Sequence, residues 1–167
     1  IQENILGLTD KYFAAHLPGY PVTIRALAPL VGYPKATVAA TLLTSIALFS
    51  AFYYVVRKLR LSSKPLFLTF VFMFLTPRFF VVTSVGSPEP LFLLAIILSI
   101  YFFTTRKYLF AGMLGALAVI TKTPGMLLFI AYTGFLVIEY VRGKKISPGV
   151  LSILLIPVGL LGVFTLY

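Results

Sequence analysis

Three charged residues stand where an apolar sequence makes charge costly. Lys122 sits in the break Thr121-Lys122-Thr123-Pro124-Gly125 between two apolar stretches, Arg78 follows Pro77 near the end of another, and Glu89 closes the turn Gly86-Ser87-Pro88-Glu89 ahead of a third. Ammonium and guanidinium groups so placed bind anions through charge-assisted hydrogen bonds, and a phosphate suits two cations steered or balanced by one carboxylate. Each residue also has a structural explanation: the two cations can snorkel to the headgroups, and Glu89 complements the dipole of a helix that starts with it. For Arg78 and Glu89 taken singly, that explanation is at least as good. Lys122 favours a site, because Pro124 and Gly125 break the helix at the same point, and irregular backbone at membrane depth survives only against protein or a wet cavity.

The elements that must position these groups are membrane segments. The 167 residues are 60% hydrophobic and 11% charged, with mean hydropathy +1.03, and the apolar residues come in blocks. This composition implies an all-α, multi-pass transmembrane helix bundle with about six segments, near 36–56, 65–83, 88–105, 108–121, 124–141 and 146–167. The fourth, Tyr108 to Thr121, is about 21 Å long as a helix, against a hydrocarbon core of about 30 Å, so it leaves Lys122 below the surface. Arg78 lies about 20 Å along a helix from Pro65, at a similar depth. Residues 1–35 form the end of an outer loop, and its half-apolar stretch Val22 to Val31 is too short to span; it lies in the interface or plugs the outer mouth.

Charge gives the orientation. Nine of the fourteen basic residues fall in alternate connections: Arg57, Lys58, Arg60 and Lys64; Arg106 and Lys107; Arg142, Lys144 and Lys145. The positive-inside rule makes those connections cytoplasmic and puts the Glu89 turn, the Lys122 break and the N-terminal stretch outside. The net charge of +10 is therefore a topology signal rather than a nucleic-acid footprint. With no cysteine there is no disulfide framework, thiolate metal site or thiol nucleophile. His16 is the one histidine and makes neither a metal site nor a triad by itself. No Gly-rich phosphate loop, nucleophile elbow or usefully spaced carboxylate pair occurs. The small pairs Ala111/Gly115 and Gly112/Ala116 read as helix-packing residues. The chain opens without a methionine or a signal peptide and closes within an apolar block, which reads as an internal piece of a longer protein.

The ordered set His16-Leu17-Pro18-Gly19-Tyr20-Pro21, Ser87-Pro88-Glu89-Pro90-Leu91-Phe92 and Ile120-Thr121-Lys122-Thr123-Pro124-Gly125 resembles the GT-C glycosyltransferases, multi-pass enzymes that take a sugar from a polyprenyl-phosphate carrier. Within that class it is similar to the dolichyl-phosphate-mannose-dependent mannosyltransferases and related bacterial enzymes. The resemblance implies that Lys122 contacts the carrier phosphate and that Glu89 lines the same outer cavity; Arg78, at a similar depth, and His16, in the first of these motifs, are counted with them as candidate phosphate- or substrate-binding residues. It implies a polyprenyl-phosphate-sugar donor, membrane lipid as surroundings, a cell or endoplasmic-reticulum membrane, and a mechanism that admits a divalent metal without requiring one. The main catalytic acid of such enzymes follows the first membrane helix and is expected ahead of residue 1; Asp10 is a weaker candidate within the chain. Leu17, Gly19 and Arg78 depart from the family pattern. Two other classes compete. A transporter or lipid flippase subunit also uses broken helices and buried cations, but favours a midplane site and inverted repeats, and no repeat is visible here. A scaffold subunit leaves Arg78 and Lys122 unexplained.

Overall fold

The computed structural model describes residues 17–74, 86–144, 147–158 and 162. Among these every element is helical: α1 (Gly19–Val31), α2 (Tyr33–Lys58), α3 (Pro65–Phe74), α4 (Glu89–Thr104), α5 (Tyr108–Thr121) and α6 (Met126–Val141), with 3-10 turns at Thr123–Gly125 and Pro148–Leu154. The all-α expectation holds. Two helical stretches, Tyr33–Lys58 and Thr123–Val141, are long and apolar enough to cross a membrane unaided, while the other apolar ones have 10–17 residues.

Punctuation in the sequence sets the boundaries. Helix α5 starts after Arg106-Lys107 and stops at Thr121, where the expected segment stops. Helix α2 carries Pro34 in its first turn, where the missing N–H costs nothing, and ends on Arg57 and Lys58, which complement the dipole. The segment expected at 65–83 is helical over Pro65–Phe74, and its remainder, with Arg78, lies outside the described residues. The last expected segment departs from the α-helix: Pro148–Leu154 is a 3-10 turn with Pro148 at its start. The half-apolar stretch at 22–31 is part of α1, and its buried Tyr20 and Ala28 seat it on the bundle.

Pairings along the helices give their directions. Thr41, near the start of α2, bonds to Ser87, just ahead of α4, while Tyr54 near the end of α2 meets Tyr101 near the end of α4. Helices α2 and α4 therefore run parallel. Helix α3 returns beside α2, with Phe72 stacked on Phe52 at 4.4 Å between ring centroids. Helix α5 runs back along α4, and α6 returns so that Glu139 lies beside Arg106. All three basic connections thus gather at one end, and the Ser87 turn and the Lys122 break at the other.

Small residues line the closest helix contacts, beside larger buried side chains such as Leu48, Phe103 and Ile156. Ala36, Ala40, Thr44 and Leu48 form a row four apart on α2, all buried, joined by Thr41 and Ser45. Ala95 and Ser99 on α4 face Ala111, Gly115 and Ala118 on α5. Many large side chains point outward: Leu42, Leu43 and Ile46 on α2, Leu66, Phe67 and Phe70 on α3, Leu127, Ile130 and Val137 on α6. In water so much exposed apolar surface would be an aggregation liability. In hydrocarbon there is no drive to bury it, and helices associate instead through close backbone approach and interhelical hydrogen bonds. One such bond is the Ser99 hydroxyl to the Ala111 carbonyl at 2.8 Å, with the Tyr132 hydroxyl 2.9 Å from Ser99 Oγ, which ties α4, α5 and α6 together.

Candidate functional site

The break after α5 places Lys122. Its backbone is extended (φ −151°, ψ 134°), while its N–H still caps the helix on the Ala118 carbonyl at 2.8 Å. The chain then folds into the 3-10 turn, closed by Gly125 N–H on the Lys122 carbonyl at 2.9 Å. Only glycine fits at 125, because a Cβ there would lie 2.6 Å from the Val119 nitrogen and 2.7 Å from the Ala118 carbonyl carbon. The turn is thereby folded back on α5 and directs the Lys122 side chain across to the start of α4.

There its ammonium meets the carboxylate of Glu89, the first residue of α4. The other carboxylate oxygen of Glu89 accepts from the Ser87 hydroxyl. Both oxygens of the acid are therefore engaged. Lys122 and Glu89 remain 32% and 30% exposed, so the pair is reachable rather than sealed. Ser87 is held in turn by Thr41: its N–H donates to Thr41 Oγ1 at 2.9 Å, and its carbonyl lies 3.3 Å from the same oxygen. Thr41 Oγ1 is also 2.7 Å from the Tyr20 hydroxyl, which donates to the Thr37 carbonyl at 2.9 Å. A continuous hydrogen-bonded chain thus runs Tyr20–Thr41–Ser87–Glu89–Lys122 and joins α1, α2, α4 and the break after α5.

Beside this chain lies a cavity of about 640 Å³ whose wall includes Leu17, Tyr20, Pro21, Pro88, Lys122 and Pro124. Helix α1 supplies one side of it. It can do so because Gly19 packs against the last turn of α5, where a Cβ would come within 2.9 Å of the Ile120 carbonyl oxygen. Among the described residues Lys122 is the charged residue of the wall, and Glu89 stands one contact behind it. An ammonium group has three donors. One goes to Glu89, which leaves two for an anion entering the cavity.

The family model of glycosyltransferase family 87 matches residues 18–145, which takes in α1 through α6, all of the cavity wall but Leu17, and both partners of the ion pair. The chain belongs to glycosyltransferase family 87. It is thus a membrane glycosyltransferase chain by family, and neither the fold nor the family supports the transport reading. No curated protein and no solved structure matches the chain.

Of the site residues expected from sequence, the family 87 fold brings Lys122 and Glu89 together. Arg78, His16 and Asp10 lie outside the described residues. Tyr20, Thr41 and Ser87 were not singled out. Threonine and serine are unremarkable in an apolar helix, where their hydroxyls bond back to the preceding turn, as Thr44 and Ser45 do. A signal was nonetheless present: four hydroxyl residues, Thr37, Thr41, Thr44 and Ser45, crowd one face of an otherwise apolar α2.

Proposed function

We propose that this chain forms the carrier-phosphate pocket of a glycosyltransferase that moves a sugar, mannose being the first to test, from a polyprenyl-phosphate carrier to an acceptor at the extracytoplasmic membrane face. The observation that carries the reading is Lys122, the one cation of the cavity wall among the described residues, fixed by Glu89 with donors to spare. As the anomeric carbon is attacked and its bond to the carrier oxygen breaks, negative charge grows on the departing phosphate, and a fixed ammonium stabilises that charge more than it stabilises the bound donor. Glu89 positions rather than deprotonates, since both its oxygens are occupied. The base that accepts the proton of the acceptor hydroxyl is a different carboxylate. Glu139 is ruled out by its place at the opposite end, ion-paired with Lys144, and Asp10, ahead of α1, is the candidate within the chain. A divalent ion finds no group of three or more His, Asp or Glu ligands among the described residues, so no step is routed through one. The cluster of cations at the other end of the bundle supports the outer face. Six spans are proposed on the same pattern, the shorter helices crossing with the help of their flanking segments.

The test is binding of a short-chain polyprenyl phosphate to the purified chain in detergent. Replacing Lys122 by Ala is expected to weaken binding about 10- to 100-fold, the range of a hydrogen bond to a charged group, and Lys122→Arg to restore most of it. Equal affinity of the wild type and Lys122→Ala would remove the reading.

A further inference from the structure

The opposite end of the bundle carries a feature that neither transfer chemistry nor topology requires. Helices α2 and α4 both end in the same capping turn. In α2, Arg60 N–H bonds to the Arg57 carbonyl at 3.3 Å and Leu61 N–H to the Val56 carbonyl at 3.0 Å. In α4, Arg106 N–H bonds to the Phe103 carbonyl at 3.0 Å and Lys107 N–H to the Phe102 carbonyl at 2.8 Å. The residue at the bend of such a cap is left-handed and is usually glycine. Helix α6 follows that rule with Gly143 at φ 75°. Helices α2 and α4 put arginine there, at φ 52° for Arg60 and 60° for Arg106, against the Cβ clash that makes this conformation unfavourable for branched or long L-residues. A positive-inside signal explains cations in this stretch but not one at this position, since neighbouring sites carry the charge without strain.

The two arginines differ in their surroundings. Arg106 lies near Glu139, which also pairs with Lys144 at 2.6 Å. At the end of α2, Arg57, Lys58 and Arg60 are exposed and, with Tyr54, line a cavity of about 350 Å³. No carboxylate balances them among the described residues, because Glu89 is engaged with Lys122 at the far end and Glu139 with Lys144. Exposed Leu61, Leu66 and Phe67 flank the cluster, and exposed apolar α3 surface continues through Phe70. Clustered cations at the end of a bundle whose sides face hydrocarbon, with apolar surface leading away from them, match one amphiphile: a lipid with an anionic phosphate headgroup.

We infer that the α2–α3 corner is a binding site for an anionic phospholipid of the surrounding leaflet, with Arg57, Lys58 and Arg60 holding the phosphate and Leu61 and Phe67 contacting the acyl chains. Arg60 takes the left-handed cap because the bend turns its side chain out of the helix toward the headgroup plane. The site is separate from the carrier pocket, which lies at the other end of the bundle.

Arg60→Gly separates the site from mere packing, since relief of backbone strain and loss of a ligand contact act in opposite directions. The full chain in detergent micelles is titrated with phosphatidylglycerol or phosphatidylcholine, with bound lipid counted by native mass spectrometry and unfolding followed by temperature. The wild type is expected to retain phosphatidylglycerol in preference to phosphatidylcholine, and excess inorganic phosphate is expected not to displace it. Arg60→Gly should raise the lipid-free unfolding temperature by about 2–4 °C and weaken phosphatidylglycerol binding about fivefold. Arg57→Gln should weaken it similarly without the thermal gain, and Lys35→Gln, at the opposite end of α2, should change neither. Equal retention of the two lipids, displacement by inorganic phosphate, or unchanged lipid affinity in both Arg60→Gly and Arg57→Gln would overturn the proposal.

Discussion

The two ends of this bundle handle charge in opposite ways. At the Lys122 end one cation is matched by one acid, and three further residues, Tyr20, Thr41 and Ser87, hold that acid in place through hydroxyls and a backbone N–H. At the other end cations outnumber acids, the caps are exposed, and two arginines sit in left-handed turns. Lys122 lies one residue beyond a 14-residue helix, so hydrocarbon depth makes an unmatched charge there expensive. Charges in the headgroup layer stay hydrated and need no partner. A single ordered cation with satisfied neighbours is the arrangement preorganised for chemistry; a loose cluster with none suits a fluid lipid ligand.

That contrast is most directly broken at Lys122. If the ordered cation stabilises the leaving phosphate, Lys122→Ala should lower transfer from a polyprenyl-phosphate sugar by on the order of 100- to 1,000-fold, as loss of one preorganised charge does elsewhere, whereas Lys58→Ala should lower it less than twofold. Comparable losses from both would erase the distinction between the two ends. Next in size is the packing that sets the distance between ends. Gly112 lies against the backbone of Ser152, with no room for a Cβ, so Gly112→Val should destabilise the fold by about 1–3 kcal/mol, seen as a lower unfolding temperature in detergent. Leu43→Ala on the outer face of α2 should change it by less than about 0.5 kcal/mol.

Thr41→Val, which keeps shape and removes the acceptor for Ser87 N–H, should cost about 1–3 kcal/mol. It should weaken carrier binding as well, because Ser87 and with it Glu89 lose their anchor. The smallest effect expected is the coupling of Lys122 with Glu89. Both are about a third exposed, so a double-mutant cycle of Lys122→Ala and Glu89→Ala on stability should return about 1 kcal/mol or less. A much larger coupling would mean that the pocket is dry and that the pair, rather than the cation, is its functional unit.

Much of this was legible in the residue order. The apolar blocks gave the helices, and Arg106-Lys107 and Pro124 marked the ends of α5, because charge and proline act locally. Lys122 and Glu89 stood out for the same reason: an anomaly against an apolar background is visible without a partner. What joins them is not local. The Thr41–Ser87 bond links residues 46 apart, and that between Tyr20 and Thr41 links residues 21 apart, both through side chains that an apolar helix tolerates without comment. The 3-10 turn at Pro148–Leu154 was hidden as well, since apolar composition predicts burial in hydrocarbon but not hydrogen-bond register. The left-handed arginines could not have been seen, because the residue type argues against that conformation.

The bond between Thr41 and Ser87 also sets an order of assembly. Helices α2 and α4 run parallel, so the chain must run down α2 and back beside it through α3 before the two partners can meet, and closing that long loop is entropically costly compared with forming either helix. The cavity beside Lys122 is accordingly expected to be among the last parts of the molecule to form. A nascent chain that has inserted its early helices but not yet delivered Ser87 has no anchored Glu89 and no partner for the lysine still to come, which delays the pocket until most of the bundle has been made.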